Sequence, residues 1–238
     1  MCAHPAAALI DAVRADDLLD VGTGTGTVAA MAAARGIAVT AIDAEPTMAA
    51  ATRARVPEAT VCVAALPGLP VPDGAFGGVT ANFVLNHVGR PAAALAELRR
   101  VTRPGGRIAV TIWPYPQPPL QALWADAVRD AGVEAASALR LDPADDFPRT
   151  EEGLAGLLSA AGLRDVTAGR LTWDHTADLD DWWSGSAAGI GAFGQLVAGL
   201  DADTAARLRT CYETLAAPYT AGRRLTAPTA AVLATGTR

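Results

Sequence analysis

The sequence predicts an α/β fold built on a doubly wound, parallel sheet, and three observations support this. Short apolar segments that suit buried strands alternate with Ala- and Leu-rich segments that suit helices. One strand-to-helix junction is rich in glycine, because Asp20-Val21 is followed by Gly22-Thr23-Gly24-Thr25-Gly26 and an Ala-rich segment. Apolar residues make up 51% of the 238 residues, which is enough for a sizeable core.

In the first half of the chain, apolar runs predict strands and proline positions predict helix starts. The predicted strands are residues 18–21, 37–42, 60–63, 76–82 and 107–113. A first helix spans residues 5–14, and another follows Gly26 and ends at Arg35. Pro46 and Pro91 suit the first turn of two further helices. The second of these is predicted to break at Pro104-Gly105-Gly106.

The second half of the chain does not keep this alternation of strands and helices. A proline-rich linker leads to a predicted helix over 120–131, and Thr150 is predicted to cap a helix that ends at Gly162. Strands six and seven are predicted at 163–173 and 229–235, and residues 178–217 are mostly helical. We therefore predict a core of residues 1–113, 150–173 and 227–238, and a substrate-binding cap formed by the insertions 114–149 and 174–226.

Composition excludes several classes of partner. A net charge of −6 gives no general attraction to nucleic acid. No apolar run reaches the roughly 20 residues of a membrane span, and the N-terminus does not resemble a signal peptide. Three scattered cysteines predict reduced thiols and a cytoplasmic location, and no residue spacing suits a metal. The expected partner is a small molecule, bound by a monomer or homodimer.

The glycine-rich turn is the main functional signal. Glycine permits positive φ and lets a ligand touch the main chain, because no Cβ stands in the way. The following helix directs unpaired N–H groups toward the same place. The turn is therefore predicted to bind a nucleotide or nucleoside.

Four segments together carry a resemblance to a known family. They are the turn at 20–26, Asp43 at the end of strand two, residues 69–76, and residues 97–106. Over residues 16–113 the chain resembles class I S-adenosylmethionine-dependent methyltransferases of the small-molecule type found in ubiquinone and menaquinone biosynthesis. The resemblance implies a Rossmann-like sheet in the order 3-2-1-4-5-7-6, with strand seven antiparallel. It also implies S-adenosyl-L-methionine as cofactor and S-adenosyl-L-homocysteine as product.

The resemblance also implies a set of cofactor contacts. Asp20 helps to hold the ammonium group of the cofactor, and Asp43 accepts hydrogen bonds from both ribose hydroxyls. Ala65 stands where the family usually has an acid, so backbone groups there would contact the adenine. The remaining contacts are Gly22, Thr23, Gly24 and Gly26 in the turn, Ala44, Met48 and Leu66 beside the adenine, and Asn82 near the methionine moiety.

Candidate residues for chemistry and substrate binding follow strands four and five and lie in the predicted cap. His87 is a candidate general base, or it only shapes its loop or contacts the tail of the cofactor. Trp113 and Tyr115 are candidates for stacking on a flat substrate, and core packing is the alternative for Trp113. His175 and Trp183 are candidate substrate contacts in the cap, and the alternatives are an ordinary surface histidine for His175 and core packing for Trp183.

The predicted function is methyl transfer to an O, N or C atom of a small, largely apolar molecule, such as a natural-product biosynthetic intermediate. One alternative is an enzyme of the same fold that transfers no methyl group, such as a cyclase, decarboxylase or pericyclic catalyst. It follows from the missing acid at Ala65 and from the lack of a strong candidate base. Another is a nicotinamide oxidoreductase, although the glycine spacing differs from Gly-x-Gly-x-x-Gly.

Overall fold

The structure, a computed structural model, describes residues 1–134, 141–187 and 191–238. Its strands are β1 (Asp17–Val21), β2 (Ala38–Asp43), β3 (Thr60–Val63), β4 (Phe76–Asn82), β5 (Thr102–Ile112), β6 (Arg164–Asp178), β7 (Thr220–Ala221) and β8 (Arg224–Thr237). Its helices are α1 (Ala6–Val13), α2 (Thr27–Ala33), α3 (Pro46–Arg55), α4 (Pro91–Val101), α5 (Pro119–Asp130), α6 (Glu151–Ala160), α7 (Leu179–Ala187), α8 (Gly191–Ala198) and α9 (Ala202–Ala216).

These strands form one sheet in the order β3-β2-β1-β4-β5-β8-β6, and the short β7 pairs with β8. β1 lies parallel to both β2 and β4, so that Asp20 faces Ala41 on one side and Thr80 on the other. β8 runs antiparallel to β5. Since β8 corresponds to the predicted strand seven, the Rossmann-like α/β class and the strand order implied by the resemblance are confirmed.

Helices cover both faces of the sheet in unit 1. Successive strand residues point to opposite faces, so neighbouring residues of one strand pack against different helices. Leu18 packs in one apolar cluster and its neighbour Leu19 packs in another. The first cluster contains residues of α1 and α2, namely Leu9, Val13, Ala29 and Ala32, and the second contains residues of α4 and α6, namely Leu95, Leu98, Leu154 and Leu158. Strands buried on both faces must be apolar throughout, which explains the continuous apolar runs of the sequence.

Some predicted element boundaries are wrong, most clearly that of β5. This strand begins at Thr102, so the glycines at 105 and 106 lie within it and do not precede it. The N–H of Gly105 donates to the carbonyl of Arg238 at 3.0 Å. A Cβ on Gly106 would lie 2.7 Å from the carbonyl oxygen of Gly77. Gly106 therefore permits the close approach of β4 and β5, because any larger residue there would clash with Gly77. β6 and β8 are also longer than predicted.

The chain divides into two compact units. Unit 1 comprises residues 1–115, 141–171 and 231–238, and unit 2 comprises residues 116–140 and 172–230. The predicted insertion 114–149 is thus divided, because Phe147 is buried in the main core of unit 1. Within unit 2, α5 packs against α9, and Nε of Arg207 donates to the carbonyl of Ala131 at 3.0 Å. The role of unit 2 as a cap stays a prediction, and residues 135–140 and 188–190 of the predicted cap lie outside the described residues.

One buried acid holds the proline-rich loop between β3 and β4. Glu97 is 9% exposed and accepts hydrogen bonds from the N–H of Leu69 at 2.7 Å and from Nε and Nη2 of Arg100, each at 2.8 Å. Arg100 also donates to the carbonyls of Leu69 and Val71 and pairs with Asp73. The Arg100 guanidinium lowers the pKa of Glu97, so the acid remains charged. Side-chain cations that pair with acids in this way are arginines, because the chain contains no lysine.

We expect Glu97→Gln to lower the free energy of unfolding by about 2–3 kcal/mol, because the new amide N–H₂ group faces the Arg100 donors in a buried place. Urea unfolding measures this. The matched control is Asp73→Asn, which removes an exposed carboxylate from the same arginine and should cost less than about 1 kcal/mol. Equal losses in the two variants would contradict the role assigned to Glu97.

Candidate functional site

The glycine-rich turn lies at the carboxyl end of β1, and its three glycines all have positive φ. The values are +66° for Gly22, +57° for Gly24 and +77° for Gly26. A Cβ on Gly22 would lie 2.4 Å from a methyl carbon of Val84, and one on Gly26 would lie 3.1 Å from Oγ1 of Thr52. A Cβ on Gly24 would meet nothing within 4 Å. The main chain at Gly24 is therefore open to a ligand.

β2 and α3 hold this turn in place. The carbonyl of Ile42 accepts hydrogen bonds from the N–H groups of Gly22 at 2.7 Å and Thr23 at 3.0 Å. Thr52, which is fully buried, donates from Oγ1 to the carbonyl of Gly24 at 2.9 Å. Thr52 was not predicted from the sequence, although a threonine in an Ala-rich helix is a usable signal.

Asp43 ends β2, and its carboxylate points toward the turn. Oδ2 accepts a hydrogen bond from the N–H of Gly24 at 2.8 Å, and Oδ1 accepts one from the N–H of Glu45 at 2.9 Å. These two bonds fix the carboxylate, and each oxygen retains a lone pair for another donor. The residues predicted beside the adenine lie on segments that follow β2 and β3, where Ala44 and Ala65 are exposed and Met48 and Leu66 are half-buried.

Asp20 is a buried acid beneath the turn. It is 1% exposed and accepts hydrogen bonds from Oγ1 of Thr23 at 2.8 Å and Oγ1 of Thr80 at 3.0 Å. Burial raises the pKa of Asp20 to about 6, and the two hydroxyl bonds only partly oppose this effect. Across residues 1–134, 141–187 and 191–238, no ion pair joins Asp20 to an arginine or histidine. Thr80 was also missed, although it is a polar residue in an apolar strand.

Asn82 ends β4, as predicted, and its side chain bonds to the protein through both ends of the amide. Oδ1 accepts a hydrogen bond from Oγ1 of Thr111 at 2.7 Å, and Nδ2 donates to the carbonyl of Cys2 at 2.9 Å. The chain near its N-terminus thus contacts the end of β4. A contact between Asn82 and a cofactor stays a prediction.

Trp113 follows β5 and is held by two residues of the segment after β4. Its indole ring stacks on Phe83, with ring centroids 3.6 Å apart and planes 9° apart. The side-chain oxygen of Asn86 accepts a hydrogen bond from the N–H of Trp113 at 2.8 Å. Phe83 has a φ of +60°, which is uncommon for a bulky residue. One face of the Trp113 ring is therefore already covered, and the sequence analysis did not foresee either partner.

The other candidate residues are divided between the two units. His87 and Tyr115 belong to unit 1, and both side chains are exposed, Tyr115 by 69%. Nearby protein atoms desolvate the His87 imidazole and lower its pKa, so the ring is neutral at pH 7. His175 and Trp183 belong to unit 2 and lie against other aromatic rings.

Two further features bear on partners. Among the described residues, no three His, Cys, Asp or Glu side chains gather in a way that could hold a metal ion. In the same part of the chain, no helix has the length and apolar character needed to cross a bilayer.

Comparisons with known proteins give a sequence family and a shared fold. The methyltransferase domain family matches residues 19–110. A demethylmenaquinone methyltransferase of Beutenbergia cavernae is 34% identical over 178 residues, which are 69% of this chain and 74% of that protein. The fold resembles that of the YcgJ protein of Bacillus subtilis, with a TM-score of 0.63, 17% identity and coverage of 99% and 98%. It also resembles phosphoethanolamine N-methyltransferase 2 of Haemonchus contortus in complex with S-adenosylhomocysteine, with a TM-score of 0.59, 14% identity and coverage of 98% and 52%.

The raised pKa of Asp20 predicts a pH-dependent stability. Because the folded-state pKa of about 6 exceeds the ordinary 3.8, the folded protein binds more protons than the unfolded chain between these values. The contribution of Asp20 to the free energy of unfolding should therefore fall as pH rises from 4 to 7, by about 2 kcal/mol.

Urea unfolding of the wild type and Asp20→Asn at several pH values isolates this effect, because other acids titrate equally in both proteins. We expect the stability of Asp20→Asn relative to the wild type to increase with pH across this range. A difference that stays constant from pH 4 to 7 would contradict the effect of burial on Asp20.

Proposed function

The chain belongs to the class I S-adenosylmethionine-dependent methyltransferases of the ubiquinone and menaquinone type, and we propose that it methylates a small, flat, largely apolar molecule of the quinone or quinol class. The name of the Beutenbergia cavernae relative, a demethylmenaquinone methyltransferase, supports this substrate class. A natural-product biosynthetic intermediate of the same chemistry falls within the proposal. The observation that carries the proposal is the open main chain at Gly24 beside the fixed carboxylate of Asp43.

The residues around the turn fit S-adenosylmethionine. The remaining lone pairs of Asp43 suit the two ribose hydroxyls, and the open face of Gly24 leaves room for the cofactor against the main chain. The ammonium group of the cofactor supplies the cation that the buried Asp20 lacks, through direct contact or through water. The adenine-binding residues are Ala44, Met48, Ala65 and Leu66, and the remaining proposed contacts are Gly22, Thr23, Gly26 and Asn82.

S-adenosylmethionine supplies a methyl group that its sulfonium already activates. The protein therefore has to hold the acceptor in line and to remove its proton. His87 is the proposed proton acceptor, since its lowered pKa keeps the imidazole neutral at pH 7. The exposed position of His87 also agrees with a role in its loop alone, and the His87→Gln variant below distinguishes the two roles.

We expect Gly24→Ala to lower the affinity for S-adenosylhomocysteine by at least about tenfold, because the added methyl group fills the face left for the cofactor. Isothermal titration calorimetry measures this affinity. Gly36→Ala is the matched control, because Gly36 also has a positive φ, of +78°, and open space around its Cβ position, but lies beyond the end of α2. Both variants should lose a similar stability of about 1–2 kcal/mol. Equal affinity in both variants would contradict the assignment of the turn.

The reaction itself is tested with methyl-labelled S-adenosylmethionine and a 2-alkyl-1,4-naphthoquinol kept reduced under nitrogen. We expect methylated product and S-adenosylhomocysteine in equal amounts. His87→Gln should lower kcat by about a hundredfold or more if His87 takes the proton, with unchanged affinity for S-adenosylhomocysteine. Unchanged kcat would assign His87 to the loop. Tight S-adenosylhomocysteine binding without transfer to any flat quinol would favour the alternative of an enzyme that transfers no methyl group.

A further inference from the structure

Unit 2 contains a cluster of aromatic side chains, here called the unit 2 aromatic cluster. Its members come from α5, β6, α7, α8 and α9 and are Trp124, His175, Trp182, Trp183, Phe193 and Tyr212. Trp124 contacts most of the others. Its ring stacks on Tyr212, with centroids 4.5 Å apart and planes 6° apart, and lies 4.4 Å from the Phe193 ring. Aromatics are only 5% of the chain, so this concentration within one unit is unusual.

Two polar atoms of this cluster are buried without a hydrogen-bond partner. They are Oη of Tyr212, whose residue is 0% exposed, and Nε1 of Trp182. A buried polar group with no partner destabilises a fold by about 1–3 kcal/mol, so each one in a native protein calls for an explanation, such as a catalytic role or a bound species. The indole N–H can only donate, and the phenol can donate or accept, so an acceptor oxygen would satisfy either group.

The charged residue beside the cluster does not supply these acceptors. Arg209 lies over the rings of Trp183 and Tyr212, at 5.0 Å and 5.8 Å from the ring centroids. The acids near it, Asp180 and Glu213, are paired with Arg209 itself. Burial raises the pKa of the Tyr212 phenol, so the hydroxyl keeps its proton at physiological pH.

We propose that the unit 2 aromatic cluster binds a flat ring that carries oxygen atoms, with Tyr212 Oη and Trp182 Nε1 donating hydrogen bonds to those oxygens. Aromatic side chains favour a flat aromatic or quinoid ring by stacking. Buried donors favour a ring that carries carbonyl or hydroxyl oxygens over a plain hydrocarbon. This proposal rests on the side chains of unit 2 alone and does not depend on the proposed function above.

Equilibrium dialysis of the full chain against 2,3-dimethyl-1,4-naphthoquinone tests the proposal, since the blocked ring positions prevent addition of cysteine thiols. We expect Tyr212→Phe to weaken binding of this quinone about five- to tenfold. The matched control, Tyr219→Phe, changes a tyrosine of the same unit outside the cluster and should bind like the wild type. The hydrocarbon 2,3-dimethylnaphthalene should bind more weakly than the quinone and be insensitive to Tyr212→Phe.

The outcomes separate this proposal from the proposed function. No binding of the quinone by the wild type, or equal binding by Tyr212→Phe, would overturn the site even if methyl transfer to a quinol is observed. Weaker quinone binding by Tyr212→Phe would support the oxygen-selective site even if no methyl transfer is found. The thermal midpoint of Tyr212→Phe should not fall, because the deleted hydroxyl has no partner in the protein. A fall in that midpoint would show that the hydroxyl has a structural role and would count against the site.

Discussion

Backbone hydrogen bonds from Gly22 and Thr23 to the carbonyl of Ile42 join the glycine-rich turn to the end of β2. The next residue of β2 is Asp43, whose carboxylate is bound by the N–H of Gly24. The loop that a ligand would touch and the acid that would bind its sugar are therefore one connected piece. A movement of either strand end would displace both parts, so the position of the site is set by the parallel pairing of β1 with β2.

Two buried acids of unit 1 have pKa values shifted in opposite directions. Glu97 has an arginine partner and a lowered pKa, and it binds the loop between β3 and β4. Asp20 has two hydroxyl partners and a raised pKa. A charge without a compensating cation weakens the free protein, and such arrangements are concentrated at functional sites. Glu97 therefore stabilises the architecture, whereas Asp20 lowers the stability of the fold at the site that we propose for the cofactor.

The sequence predicted the elements around the sheet because periodicity and proline positions are local signals. β3 and β4 occur at the predicted residues, and α3 and α4 begin at Pro46 and Pro91. What it could not predict depends on contacts between distant segments. The pairing of Gly105 with Arg238 and the support of Trp113 by Asn86 have no local pattern. The unit 2 aromatic cluster is a further case, since its members lie on five separate elements and no local pattern in the sequence brings them together.

The exclusive use of arginine in the ion pairs has a consequence for alkaline solution. An ammonium side chain loses its proton at a pH of about 10.4, and any bridge that it forms disappears there. A guanidinium keeps its charge beyond about pH 12. The bridges of Arg100, Arg209 and Arg223 therefore depend at high pH only on the partner carboxylates, which remain ionised. Unfolding in alkaline solution would therefore begin with the ionisation of tyrosines and thiols, and not with the loss of salt bridges.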